Sequence, residues 1–195
     1  MNAQNAVLNG DMDKLIVKQK SPIFASLFAG CGASSLGYKA AGYKGIFAVE
    51  WDAKKARIFR ENFPEIKLYQ NDISKINVKE VIEEIGLKPG ELDLLDGSPP
   101  CQGFSISGKR RINDPRNKLF EPYICFLKTM RPKVFLMENV PGMISGYMKQ
   151  TYLEIVKCLR NIGYDIEGKV MNCKWFSIPQ DRRRVIILGV QNDIS

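Results

Sequence analysis

From Pro22 onward, short apolar runs alternate with segments whose apolar residues recur at helical spacing. "IFASLF" reads as a strand that ends in the glycine-rich turn "AGCGASSLG", and "SSLGYKAAG" suits a helix stopping at Gly42. "GIFAVE" is a second strand. "DAKKARIFRENF" predicts a second helix, with Asp52 placed to accept the free N–H groups of its first turn. "IKLYQ" reads as a third strand, "VKEVIEEIG" as a third helix ended by Gly86, and "LDLLDG" as a fourth strand. After a polar loop, "KLFEPYICFLKTM" predicts a helix closed by Arg131-Pro132, because the residue before a proline avoids helical backbone. "KVFLMENV" is a fifth strand. In "YMKQTYLEIVKCLRNIG", Leu153, Ile155, Val156, Leu159 and Ile162 fall at helical spacing, and Gly163 ends the helix. "YDIEGKVMN" and "RRVIILGV" predict two closing strands, antiparallel to each other.

Repeated strand–helix alternation predicts an α/β fold, a mostly parallel doubly wound sheet with helices on both faces. Such sheets bind ligands beyond the carboxyl ends of their strands, so residues just after strands are the candidates for function. Residues 1–20 are polar without sustained periodicity and are expected to form a loosely ordered leader. Residues 21–195 are expected to form one domain.

Composition narrows the chemistry. The chain has 195 residues, 45% of them apolar and 26% charged, a profile that allows one sizeable core. No apolar run reaches the length of a membrane span, and the N-terminus lacks a signal-peptide core, so a cytoplasmic location is expected. The net charge of +8 favours an anionic partner, nucleic acid first. The chain has no histidine, which removes the Ser-His-Asp triad, the Cys-His pair and histidine-ligated zinc. Proton work is left to Asp, Glu, Lys, Tyr or Cys. The five cysteines form no C-x-x-C pair, so free thiols and no metal site are expected. Cys125 and Cys158 fall in apolar helical patterns and read as inert, buried thiols.

After the first strand, Gly30 and Gly32 allow backbone to approach a ligand closely. The spacing is not G-x-G-x-x-G. Ser35 stands where that pattern has its third glycine, which counts against a nicotinamide dehydrogenase. After the second strand, Glu50 is placed to hold ribose hydroxyls and Trp51 to stack on a purine. After the third, Asp72 can accept from an adenine amino group. Each alone also suits a plain strand end; together they fit an adenosine-bearing cofactor. After the fourth, Pro99 and Pro100 force a rigid exit from the sheet, and Cys101 follows. A free thiol, with pKa about 8.5, needs nearby donors or cations to become a nucleophile. In the basic loop "GFSISGKRRINDPRN", Lys109, Arg110, Arg111 and Arg116 can meet phosphates, in a solvated loop or a closing lid. After the fifth strand, Glu138 is the best-placed acid. Gln180, Arg182 and Arg184 alternate, so one face of polar groups can aim at the site while Arg183 points away.

"FAGCGASSLG", "VEW", "ND", "GSPPCQGFS", "RNKLF", "ENV" and "QDRRRV" occur in an order and spacing that resembles the motifs of DNA cytosine-5 methyltransferases, from about Pro22 to Val190. The resemblance implies the Rossmann-like fold of S-adenosylmethionine-dependent methyltransferases, and S-adenosylmethionine as cofactor. It implies that Cys101 attacks carbon 6 of a cytosine flipped out of DNA, activating carbon 5 to take the methyl group. Glu138 matches the acid at ring nitrogen 3 and the exocyclic amine. Arg184 matches the arginine at the ring carbonyl, with Arg182 in support. Phe28, Glu50, Trp51 and Asp72 match cofactor positions, with Gly30, Gly32, Ile73 and Pro99 around them. Pro100, Gln102, Ser105, Arg110, Arg111, Asn139 and Gln180 are assigned to the DNA side. A role in restriction-modification follows from the same resemblance.

The family normally continues into a target-recognition region and a short Asn-containing motif, for which these residues offer no match. A second chain or a further C-terminal segment is therefore expected to supply recognition. Two alternatives stay open, the transfer-RNA branch of the same chemistry and a non-catalytic cofactor- or DNA-binding module.

Overall fold

The computed structural model describes residues 21–99, 120–145 and 148–194. The elements follow the predicted alternation. Strand β1 (Ile23–Leu27) leads to helix α1 (Ala33–Ala40), β2 (Lys44–Val49) to α2 (Ala53–Asn62), and β3 (Lys67–Tyr69) to α3 (Val78–Ile85). Strand β4 (Leu94–Gly97), helix α4 (Phe120–Met130), β5 (Val134–Asn139) and α5 (Lys149–Asn161) come next. Strands β6 (Tyr164–Asn172) and β7 (Arg183–Gln191) close the sheet. Asp52 caps α2 as expected, accepting the N–H groups of Lys54 and Lys55, and Gly86 ends α3 in the left-handed conformation at φ 67°.

The sheet order is β3-β2-β1-β4-β5-β7-β6, parallel through β5, with β7 antiparallel to both neighbours. Alternation along the strands feeds two cores. Phe24, Ala48 and Leu94 pack with Phe59 and Phe63 from the α2 region. On the other face, Ala25, Leu27, Leu95 and Phe135 pack with Val81 of α3, Phe126 and Leu127 of α4, and Ile155 and Leu159 of α5. Gly97 ends β4 without a side chain because the Tyr123 ring occupies the space a Cβ would need.

The two edges of the sheet differ in kind. At the amino edge, Asp93 accepts the N–H of Ile23 at 2.7 Å and pairs with Lys133 at 2.6 Å, joining β1, β4 and the start of β5. At the carboxyl edge the register aligns Leu27 with Val49 and Gly97, Val49 with Tyr69, and Gly97 with Met137. Because β7 runs backwards, its start lies at this same edge, with Val185 opposite Asn139. Register therefore gathers the ends of β1 to β5 and the beginning of β7 in one place.

One expectation is corrected. Cys125 is exposed and Cys158 only partly buried. The buried stripe of α4 is Tyr123, Ile124, Phe126, Leu127 and Met130, and Cys125 falls outside that stripe. No described helix is long and apolar enough to cross a membrane. The expected leader, residues 1–20, lies outside the described residues.

Candidate active site at the carboxyl edge of the sheet

The ends of β1, β2 and β3 build one half of the site. Glu50 is 5% exposed, and its two carboxylate oxygens accept the N–H groups of Gly30 at 2.8 Å and Asp52 at 2.9 Å. The N–H of Ala29 donates to the carbonyl of Val49 at 3.0 Å, so the glycine turn is tied to the end of β2. Phe28 enters this turn at φ 58°, a left-handed backbone that few non-glycine residues adopt, with its side chain against the core. Gly32, at φ 93°, begins α1 where a Cβ would collide with the Phe63 ring. Trp51 stands beside Glu50 with its indole 72% exposed. Asp72 is half-buried and accepts the N–H and hydroxyl of Ser74, which hold its carboxyl below the usual carboxylate range. Ile73 is buried in the core behind it.

These residues suit an adenosine-bearing cofactor. Each carboxylate oxygen of Glu50 has lone-pair capacity beyond its one N–H partner, enough to accept ribose hydroxyls. The Trp51 face is open for a purine, and nothing stands within 4 Å of the space above Gly30.

The ends of β4 and β5 and the start of β7 build the other half. The Nε of Arg184 lies 2.7 Å from Oε1 of Glu138, both side chains being about 30% exposed. They share a groove of about 340 Å³ with Arg182, Met171, Phe176 and Ile178. Arg183 turns the other way, 4.0 Å from Asp181, as alternation requires. Gln180 lies in the turn before β7, is exposed, and does not line the groove.

Asn139, expected on the DNA side, is buried. Its amide donates to the carbonyl of Pro99 at 3.1 Å and accepts the N–H of Val140 at 2.9 Å. It thereby ties the end of β5 to the exit of β4. Pro99 itself is buried. Pro100, Cys101, Gln102, Ser105, Arg110 and Arg111 lie outside the described residues. Among the described residues, no cluster of acidic or cysteine side chains could hold a metal ion.

The sequence reading passed over Asp96, although a carboxyl within the apolar run "LDLLDG" was visible there. It is 4% exposed, accepts the Ser26 hydroxyl at 3.0 Å, and interacts with the Tyr38 hydroxyl. Burial, reinforced by the charge of Glu138, pushes its pKa from an ordinary 3.8 to about 6, against the hydrogen bonds from Ser26 and Tyr38. The folded state thus holds this proton more tightly than the unfolded chain does. The resulting contribution to stability falls as pH rises from about 4 to about 6, and the cost is complete above that window. Asp96→Asn should therefore raise unfolding free energy at pH 8 by about 2–3 kcal/mol and lose that advantage near pH 4. Urea denaturation at the two pH values measures it, and an equal effect at both would contradict the account.

The family model described as C-5 cytosine-specific DNA methylase matches residues 23–195. The chain belongs to this family. One relative is the Type II methyltransferase M.AgeI of Thalassovita gelatinovora, 35% identical over 84% of this chain and 38% of its own length. Another, M.AquIA of a Picosynechococcus species, is 35% identical over 84% of this chain and 70% of its own length. A solved structure of a prophage-encoded DNA modification methyltransferase from E. coli superposes with a TM-score of 0.76, at 29% identity, covering 89% of this chain and 48% of that one. The chain spans less than half the length of most of these curated relatives. Members of this family are S-adenosylmethionine-dependent methyltransferases of this fold. In the structure, Glu50 and Trp51 stand just after β2, and Glu138 and Arg184 meet at the end of β5 and the start of β7.

Proposed function

We propose that this chain is the chemical half of a DNA cytosine-5 methyltransferase of the restriction-modification type, acting in a bacterial or phage-host cytoplasm. The observation that carries the reading is the Glu138–Arg184 pair beside its groove. Asn139 ties this pair to Pro99, two residues before Cys101, at the edge that also holds Glu50 and Trp51.

S-adenosylmethionine, when bound, supplies an electrophilic methyl group. Glu50 would orient it through the ribose, Trp51 and Ile73 would flank the adenine, and Phe28 and the glycine turn would bound the rest. Asp72 would meet the adenine amino group. The reacting base is a cytosine extruded from the duplex. Glu138 holds ring nitrogen 3 and the exocyclic amine, drawing electron density from carbon 6. Arg184, supported by Arg182, binds the ring carbonyl. The Cys101 thiolate would add to carbon 6 and leave carbon 5 electron-rich, ready to take the methyl group that the bound cofactor would supply, with the thioether sulfur of the spent cofactor as leaving group. Loss of the carbon 5 proton and expulsion of the thiolate restore the aromatic ring. In this reading Pro100, Gln102, Ser105 and Gln180 are assigned to DNA contacts around the extruded base, and Arg110 and Arg111 to phosphates.

Reading a particular DNA sequence requires side chains at base edges in a groove. In this reading those side chains lie outside residues 1–195, in a second chain or a further segment. Tritiated methyl transfer tests the proposal, with the chain assayed alone and with a candidate recognition chain on duplexes of varied sequence. Label recovered in 5-methylcytosine of DNA, strongest with the recognition chain at one short site, is the expected result. Label on transfer RNA and not on DNA would move the activity to the RNA branch. Cofactor binding with no transfer in any mixture would leave a binding module.

A further inference from the structure

Three large apolar side chains stand in solvent between β6 and β7, Trp175 at 61% exposure, Phe176 at 57% and Ile178 at 48%. The segment that carries them is firmly built. Asn172, 1% exposed, accepts the N–H of Lys174 at 3.2 Å and donates to Asp181 at 2.7 Å. The N–H of Cys173 bonds to the carbonyl of Arg182 at 3.0 Å, closing the base of the segment. Ser177 sits at φ 60°, a left-handed backbone at a residue that is not glycine. Conformational cost is thus accepted to present apolar surface outward, and such surface marks an interaction site.

Two further observations say what covers it. The first is charge. Between residues 172 and 184 there are four cations, Lys174, Arg182, Arg183 and Arg184, and one acid, Asp181. That acid is engaged by Asn172, by Lys174 at 3.3 Å and by Arg183 at 4.0 Å, and Arg184 is paired with Glu138, so four cations still face only two acids here. An aromatic ring set among surplus cations is the combination that binds nucleic acid strands, bases stacking on the ring and phosphates meeting the charges. The second is continuity. Phe176 and Ile178 line the Glu138 groove, and Trp175 precedes Phe176 directly. A strand that delivers a base into that groove passes this turn.

We propose that Trp175 is a nucleic-acid stacking platform beside the Glu138 groove, holding the nucleotide next to the extruded cytosine while the adjacent Lys174 meets its phosphate. The inference rests on the function proposed above and adds a contact that the chemistry itself does not use. It also accounts for an exposed indole on a turn held by an internal hydrogen-bond network.

The chain has two tryptophans, so Trp51→Phe leaves Trp175 as the sole indole, read by exciting at the red edge where tyrosine does not absorb. Titrating this variant, without cofactor and at low salt, with duplex DNA carrying a mispaired cytosine is expected to quench and saturate the emission. In the otherwise unaltered chain, Trp175→Ala should weaken DNA binding by about 5- to 150-fold, the range for losing one base–aromatic stack. The salt dependence should stay unchanged, because the indole carries no charge. Trp175→Phe should recover most of the affinity. DNA binding without quenching, or wild-type affinity in Trp175→Ala, would overturn the proposal. Quenching by a recognition chain and not by DNA would overturn it in favour of a protein interface. If Trp175 responds to DNA while no cytosine adduct forms at Cys101, the proposed chemistry fails and the nucleic-acid surface stands. If the adduct forms while Trp175 is silent, only this inference fails.

Discussion

Cys101→Ser is expected to abolish covalent capture of DNA carrying 5-fluorocytosine at the target position. In the proposed mechanism the thiolate adds to carbon 6, and fluorine at carbon 5 blocks the proton loss that would release the enzyme, so the adduct accumulates. A serine hydroxyl ionises far less readily than a thiol, whose pKa is about 8.5. Denaturing gels after incubation with fluorinated DNA and S-adenosylmethionine read the result. The structure identifies the control that matters most. Cys173 is the described cysteine that lines the Glu138 groove, whereas Cys125 lies on α4 beside Ile73 and Ser74. Loss of the adduct in Cys173→Ser, with retention in Cys101→Ser, would reassign the nucleophile.

The second large effect concerns Glu138. Glu138→Gln keeps the shape of the side chain but removes the charge that pairs with Arg184, and with it the proposed capacity to give a proton to ring nitrogen 3. Positioned acid–base groups contribute roughly 100- to 10,000-fold, so methyl transfer should fall by about that factor. Cofactor binding should be unchanged, because Glu50 and Trp51 lie at the other half of the edge. Single-turnover transfer and calorimetry with S-adenosylmethionine separate the two quantities. Transfer within tenfold of wild type would remove Glu138 from the acid's place.

The sequence alone determined the elements and the order of the chemical groups. Strand and helix were legible because burial imposes its own period, two in β5 and β7 and nearly four in α5, and local chemistry marks the ends, as Asp52 and Gly86 do. The family was legible because each motif follows a strand and motif order survives in one dimension. Partnership was not legible. Glu138 and Arg184 are 46 residues apart and meet only because β7 enters antiparallel beside β5, which sets Ile186 opposite Glu138. Asn139 was assigned outward and turned inward once the β4 exit came within reach of its amide. Cys125 sits in an apolar helical run yet faces out, because the direction of a helix's buried stripe is decided by the sheet it meets. Asp96 looked like one polar letter in an apolar strand, and its altered proton affinity exists only where Ser26, Tyr38 and Glu138 surround it. Local periodicity is carried by neighbours along the chain, whereas register, burial of charge and the pairing of distant groups arise only when the sheet closes.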